Sequence, residues 1–182
     1  QPRSRGLGDV YKRQHEGFNA GIWKNDNATD NQAATDYDKK WIPGQWKVPE
    51  AYDNPASNDP WYFSTIREAN YFLETVVPRF EKGEIEGSET NIKHYIGEMY
   101  FLRAKNYLSK LETFGDFPII KNTLPDESES LIQASKRAPR YKVAHFILED
   151  LDQAISLLTN NISGGKNRIT KNAALLLKSR AA

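Results

Sequence analysis

The chain has 182 residues and a mass of 20.8 kDa, enough for one domain with a sizeable core. A composition of 38% hydrophobic, 12% aromatic and 27% charged residues excludes disordered and collagenous classes, and the absence of cysteine excludes disulfides, thiolate zinc sites and a cysteine nucleophile. The net charge of +1 is uneven: residues 1–14 hold Arg3, Arg5, Lys12 and Arg13 against Asp9, which leaves the remainder at −2 and removes any basic nucleic-acid footprint.

In chain order, residues 1–14 show neither helical nor strand period, resemble translated adapter sequence and read as a non-native scar. From His15 to Asn58 the sequence is loop-like, with Asn, Asp, Gly and Pro throughout, yet it carries Trp23, Tyr37, Trp41, Trp46 and Tyr52. Rings in such a loop either anchor it on a core or face a ligand. At Asp59-Pro60 a cap and a first-turn proline announce a helix. Its pattern (Trp61, Ser64/Thr65, Glu68/Ala69, Phe72/Leu73, Val76, Val77) stops at Pro78 and the Glu81–Gly87 turn. A second helix spans about 90 to Thr113, with Ile92, Tyr95/Ile96, Met99, Leu102/Arg103, Asn106/Tyr107 and Leu111 on one face, and ends at Phe114-Gly115-Asp116. Residues 117–138 read as extended loop. The third helix opens near Pro139 with the cleanest period in the chain: Val143, Phe146/Ile147, Asp150/Leu151, Ala154/Ile155 and Leu158. Thr170 is the expected N-cap of a fourth, whose apolar pattern is still running at Ala182, so 59–182 reads as a helical domain truncated at its C-terminus.

The expected starts at 60, 91, 139 and 170 make two helix hairpins of equal 31-residue period. Such pairs cannot bury both faces alone. They stack, which predicts an all-α, tetratricopeptide-like solenoid with long irregular loops.

Familiar reaction chemistry is missing. His15, His94 and His145 are scattered, and His94 with Glu98 reads as an ordinary surface or hydrogen-bonding pair. No nucleophile elbow, phosphate-cradling loop or dinucleotide fingerprint occurs. Asp30, Asn31 and their neighbours offer oxygen ligands, but the glycine and terminal glutamate of a helix-loop-helix calcium site are absent. Glu149, Asp150 and Asp152 read as a solvated face or a lock to Arg103 or Arg140.

One stretch is specific. Gly97-Glu98, Phe101-Leu102-Arg103-Ala104, and then Phe114-Gly115-Asp116-Phe117-Pro118 resemble the G-E-x-x-F-L-R-A...F-G-D-x-P motif of the SusD/RagB family. Trp61 to Leu73, Val143 to Leu158 and Arg168 to Ala174 are similar to the family's flanking helices, in order and in spacing, with Asn167 where glycine is usual. The resemblance implies a non-enzymatic, cofactor-free lipoprotein on the outer-membrane surface. Such a protein binds oligosaccharides and hands them to a SusC-like TonB-dependent transporter, and it touches the membrane only through a lipid anchor. It also implies that Glu98, Arg103, Gly115, Asp116 and Pro118 are structural, as a helix-internal ion-pair network and a C-cap glycine. A sugar site needs flat rings for pyranose C–H faces and planar polar groups for paired hydroxyls. The 25–52 part of the loop supplies both, which makes Asp30, Asn31, Tyr37, Trp41 and Trp46 the candidate ligand residues. A tetratricopeptide-like protein-interaction scaffold without a small ligand is the alternative.

Overall fold

The computed structural model describes residues 61–161 and 167–182, which lie within one compact unit, residues 51–182. Helix α1 runs Ser64–Glu81, α2 Glu89–Phe114, α3 Ser128–Ala134, α4 Arg140–Leu157 and α5 Lys171–Ala181. Among the described residues there is no strand, and one isolated antiparallel bridge joins Phe117 to Ala138. The expected cap at Asp59-Pro60, the 15–58 loop and the 1–14 segment lie outside the described residues.

Helix α2 packs against α1 on one side and chiefly against α4 on the other, and α5 packs on α4. This position between neighbours explains its sequence. A helix covered on two sides buries more than one stripe, so His94, Gly97, Glu98, Ala104 and Leu108 are inside together with the expected Ile96, Arg103 and Tyr107, while Tyr95 is exposed. Helix α4 shows the one-sided case: its read period, Val143, Phe146, Ile147, Asp150, Leu151 and Ala154, is its buried face.

Three elements differ from the sequence reading. Helix α1 begins at Ser64, buries Ile66, Ala69, Asn70 and Leu73, and runs through Pro78 to Glu81. Pro78 is tolerated because it sits in the last turn on the exposed side, where the Glu74 carbonyl left without an N–H donor can be hydrated. Gly83, at φ 70°, then closes the helix by donating its N–H to Phe80 O at 3.0 Å. The hairpins are also unequal: starts at 64 and 89 lie 25 residues apart, those at 140 and 171 lie 31 apart. Finally, Ser128–Ala134 is helical where loop was expected; it buries no residue, so no apolar stripe marked it.

The other termini follow the local chemistry. Gly115, at φ 71°, ends α2 with its N–H on Leu111 O at 2.9 Å. Asp116 Oδ1 accepts the Arg140 N–H at 2.8 Å and so caps α4 from across the 115–139 loop. Thr170 caps α5 by accepting the Ala173 N–H at 3.3 Å. Helix α5 buries Ala174 against Ala154 and Leu158 while Leu175 and Leu176 remain exposed.

Where α2 crosses the end of α4, Gly97 lets the two backbones approach. A Cβ there would lie 3.0 Å from Leu158 Cγ, 3.1 Å from Leu157 Cβ and 3.3 Å from the Ala154 carbonyl oxygen. Gly97→Ala is therefore expected to destabilise the fold by about 1–3 kcal/mol despite alanine's better helix propensity. Urea unfolding checks this, and an unchanged or raised midpoint contradicts it.

Candidate functional site

At the centre of the α1–α2–α4 contact lies a buried charge. Arg103 on α2 sends Nε and Nη2 to the two carboxylate oxygens of Asp150 on α4, both at 2.8 Å, and Nη1 to Asn70 Oδ1 on α1 at 2.8 Å and to Lys121 O at 3.3 Å. All three side chains are buried. The guanidinium also sits 5.2 Å from the Phe146 ring centre and 5.5 Å from that of Tyr100. The bidentate fork fits the planar geometry of both groups. Burial pushes the Asp150 carboxyl up from the ordinary carboxylate range, and the Arg103 fork opposes that rise.

The same polar layer holds the chain that follows α2. Asn70 Nδ2 donates to Ile120 O at 2.9 Å; the Tyr107 hydroxyl accepts the Ile120 N–H at 2.8 Å and donates to Ile120 O at 3.1 Å. The Glu74 carboxylate accepts the Thr123 N–H at 3.0 Å and its hydroxyl at 2.5 Å. Below, Phe117 is fully buried and touches four rings: Trp61, Phe63, Tyr107 and Phe114, with centroids 5.2–6.2 Å away. Buried Pro118 continues this anchored segment.

A second clasp sits at the other end of α2. The Glu98 carboxylate accepts the Ile169 N–H at 3.0 Å and pairs with Arg168, tying the start of α5 to α2. His94, fully buried one turn earlier, accepts the Thr159 N–H through Nδ1 at 3.2 Å and points Nε2 toward Glu98 Oε1 at 3.5 Å. His94 thus spends its lone pair on the backbone that ends α4. The charge pairs of Glu98 and Arg103 leave α2, to Arg168 in the connection before α5 and to Asp150 on α4, instead of forming the network internal to one helix that the resemblance implied.

Outside this layer, α1 and the 120–131 segment enclose a cleft of about 470 Å³, bordered by Phe63, Ile66, Ile120 and Leu131 and rimmed by Arg67, Asn122 and Asp126. Asn70 forms part of its floor, so cleft and buried charge share a wall. Asp30, Asn31, Tyr37, Trp41 and Trp46 lie outside the described residues. Among the described residues no group of three or more His, Asp or Glu side chains is placed to hold a metal, and no helix is long and apolar enough to cross a membrane.

The residues of the sequence motif divide the work of the polar layer among them: Gly97 permits the close crossing, Glu98 clasps α5, Arg103 forms the central fork, Gly115 ends its helix and Asp116 caps α4. The SusD-like family, described as starch-binding and associating with the outer membrane, matches residues 5–181. The chain belongs to the SusD-like family. A SusD-like protein from Bacteroides fragilis is 31% identical, with a TM-score of 0.57 over 70% of this chain and 24% of its own. Two further solved structures share the fold. A laminarin-binding SusD-like protein is 24% identical, with a TM-score of 0.56 over 70% of this chain and 27% of its own. A SusD-like carbohydrate-binding protein from Bacteroides fragilis is 17% identical, with a TM-score of 0.51 over 69% and 27%. The matched part of each is thus about a quarter of its length. No curated protein matches significantly.

Asn70 and Tyr107 stand in the family-like stretches of the sequence, but nothing there showed that they hold the 120–123 segment. Burial pushes the Tyr107 phenol from 10.0 up to about 12, although its bond to Ile120 works the other way. A raised native pKa gives stability that is complete below the unfolded value and lost as pH rises through the native one. Stability is therefore expected to fall between pH 10 and 12, and Tyr107→Phe to flatten that fall while costing about 1–3 kcal/mol at neutral pH by orphaning the Ile120 N–H. Urea unfolding across this pH range checks both; an equal alkaline loss in the variant contradicts the assignment.

Proposed function

We propose that this chain is part of a non-catalytic, oligosaccharide-binding protein of the outer-membrane surface. In this reading it is lipid-anchored and serves a SusC-like TonB-dependent transporter. The observation that carries the reading is the SusD-like match over residues 5–181. The fold supports it: a helical scaffold braced by buried polar clasps suits a protein that must hold loops rigidly and needs no reacting group. The laminarin-binding relative supports a polysaccharide as the ligand class. In this reading Trp41, Trp46 and Tyr37 supply rings for pyranose faces, and Asp30 and Asn31 fork onto hydroxyl pairs.

Calorimetry of the chain against plant, host and microbial polysaccharides tests the reading. Binding of one class is expected, with Trp41→Ala or Trp46→Ala weakening it about tenfold or more while the far-ultraviolet helical signal stays unchanged. Failure across the panel would shift weight to a protein-interaction scaffold.

A further inference from the structure

Three features of the described residues are not used by the proposed function: the open Leu175/Leu176 edge of α5, the buried His94–Glu98 clasp, and the cleft beside α1. Nothing shows what covers the first, and the second has the Glu98 carboxylate committed to Arg168 and the Ile169 N–H and His94 Nδ1 to the Thr159 N–H. The cleft remains.

We propose that this cleft is a carbohydrate subsite of its own, distinct from the aromatic 15–58 loop, and that it takes one or two pyranose rings. The proposal rests on the carbohydrate-binding reading above. Its volume of about 470 Å³ falls in the range of small-ligand sites, and it combines an apolar interior with a few polar groups at the rim. Phe63 borders it as a ring already fixed by stacking on buried Phe117, with centroids 5.2 Å apart and planes 13° from parallel. A sugar C–H face can lie against such a wall without first ordering it.

The rim decides the ligand chemistry. The side chains of Arg67, Asn122 and Asp126 make no hydrogen bond or ion pair among the described residues, although each borders the cleft. A guanidinium offers parallel N–H donors, a carboxylate offers acceptors, and an amide offers both. That set matches vicinal hydroxyls, each of which donates and accepts. An anionic ligand would meet Asp126 and a cationic one Arg67, so a neutral polyol with an apolar face fits best.

The walls are also held in place. Asn70 to Ile120 O and the paired Glu74–Thr123 bonds pin the 120–123 segment to α1. Little chain ordering is then left for binding to oppose.

The test is amide nuclear magnetic resonance of the ¹⁵N-labelled 182-residue chain titrated with maltohexaose and, separately, laminarihexaose. At least one sugar is expected to shift the Phe63, Ile66 and Ile120 amides. Arg67→Ala and Asp126→Asn, both exposed and outside the polar layer, are each expected to weaken that response about fivefold or more with an unchanged circular dichroism spectrum. Shifts confined to residues 15–58, or both variants titrating like the parent chain, overturn the cleft subsite and leave the carbohydrate reading standing. No response to either sugar overturns the subsite, and failure across the wider polysaccharide panel overturns the reading beneath it as well.

Discussion

A guanidinium taken out of water must find nearly all its partners inside the protein, and in this chain Arg103 finds them on three different segments. One carboxylate on α4, one amide on α1 and one carbonyl of the chain after α2 meet at a single group. Sliding α1 or α4 by a turn against α2 would strand a buried charge, so the group selects one register of the helices. Hydrophobic contacts alone would not: Ile66, Leu73, Leu108 and Ile147 pack with little directional preference. The aliphatic and aromatic core provides the driving force, and the fork supplies the geometry.

The other clasps extend the same arrangement to the loops. A 25-residue connection from Gly115 to Pro139 separates α2 from α4 and contains only the short helix α3. It is nonetheless tied at many points: Phe117 in its ring cluster, the bridge to Ala138, Ile120 on Tyr107 and Asn70, Thr123 on Glu74, and Asp116 on α4. These ties turn a long connection into one wall of the cleft. At the far end of α2, Glu98 and His94 hold the α4–α5 junction in the same way, each side chain accepting a backbone N–H of that connection, from Ile169 and Thr159.

How much of this was legible depended on how many neighbours each element has. Helix α4, buried on one stripe, displayed its face and its start at Pro139 in the sequence. Helix α2, covered on two sides, has only three of its ten buried residues, Ile96, Arg103 and Tyr107, on the face its period indicates, and the inward face of α1 is turned from its period because Trp61 and Thr65 belong to the approach and the flank while Ile66 and Asn70 point inward. Helix α3 has no buried stripe and left no periodic signal. The lock between Asp150 and Arg103 was one of the readings the sequence offered; that Asn70 and Lys121 complete it depends on packing across more than 30 residues of chain in one case, and no local pattern encodes it. The motif showed which residues matter. Their partners, Asp150 and Arg168 in place of neighbours on the same helix, are a tertiary fact. The ring-bearing residues proposed for sugar contact, Trp41 and Trp46 among them, lie outside the described residues, and the cleft at Phe63 and Arg67 leaves no local signal because its two walls, 63–70 and 120–131, are distant in the chain.

The claim that Arg103 sets the register is tested most directly by a double-mutant cycle of Arg103→Met and Asp150→Leu followed by equilibrium unfolding. Each single change leaves an unpaired charge in the core and is expected to cost about 3–5 kcal/mol, whereas the double change removes both charges and is expected to be more stable than either single variant. Losses that simply add would mean the two groups act independently and would contradict the account.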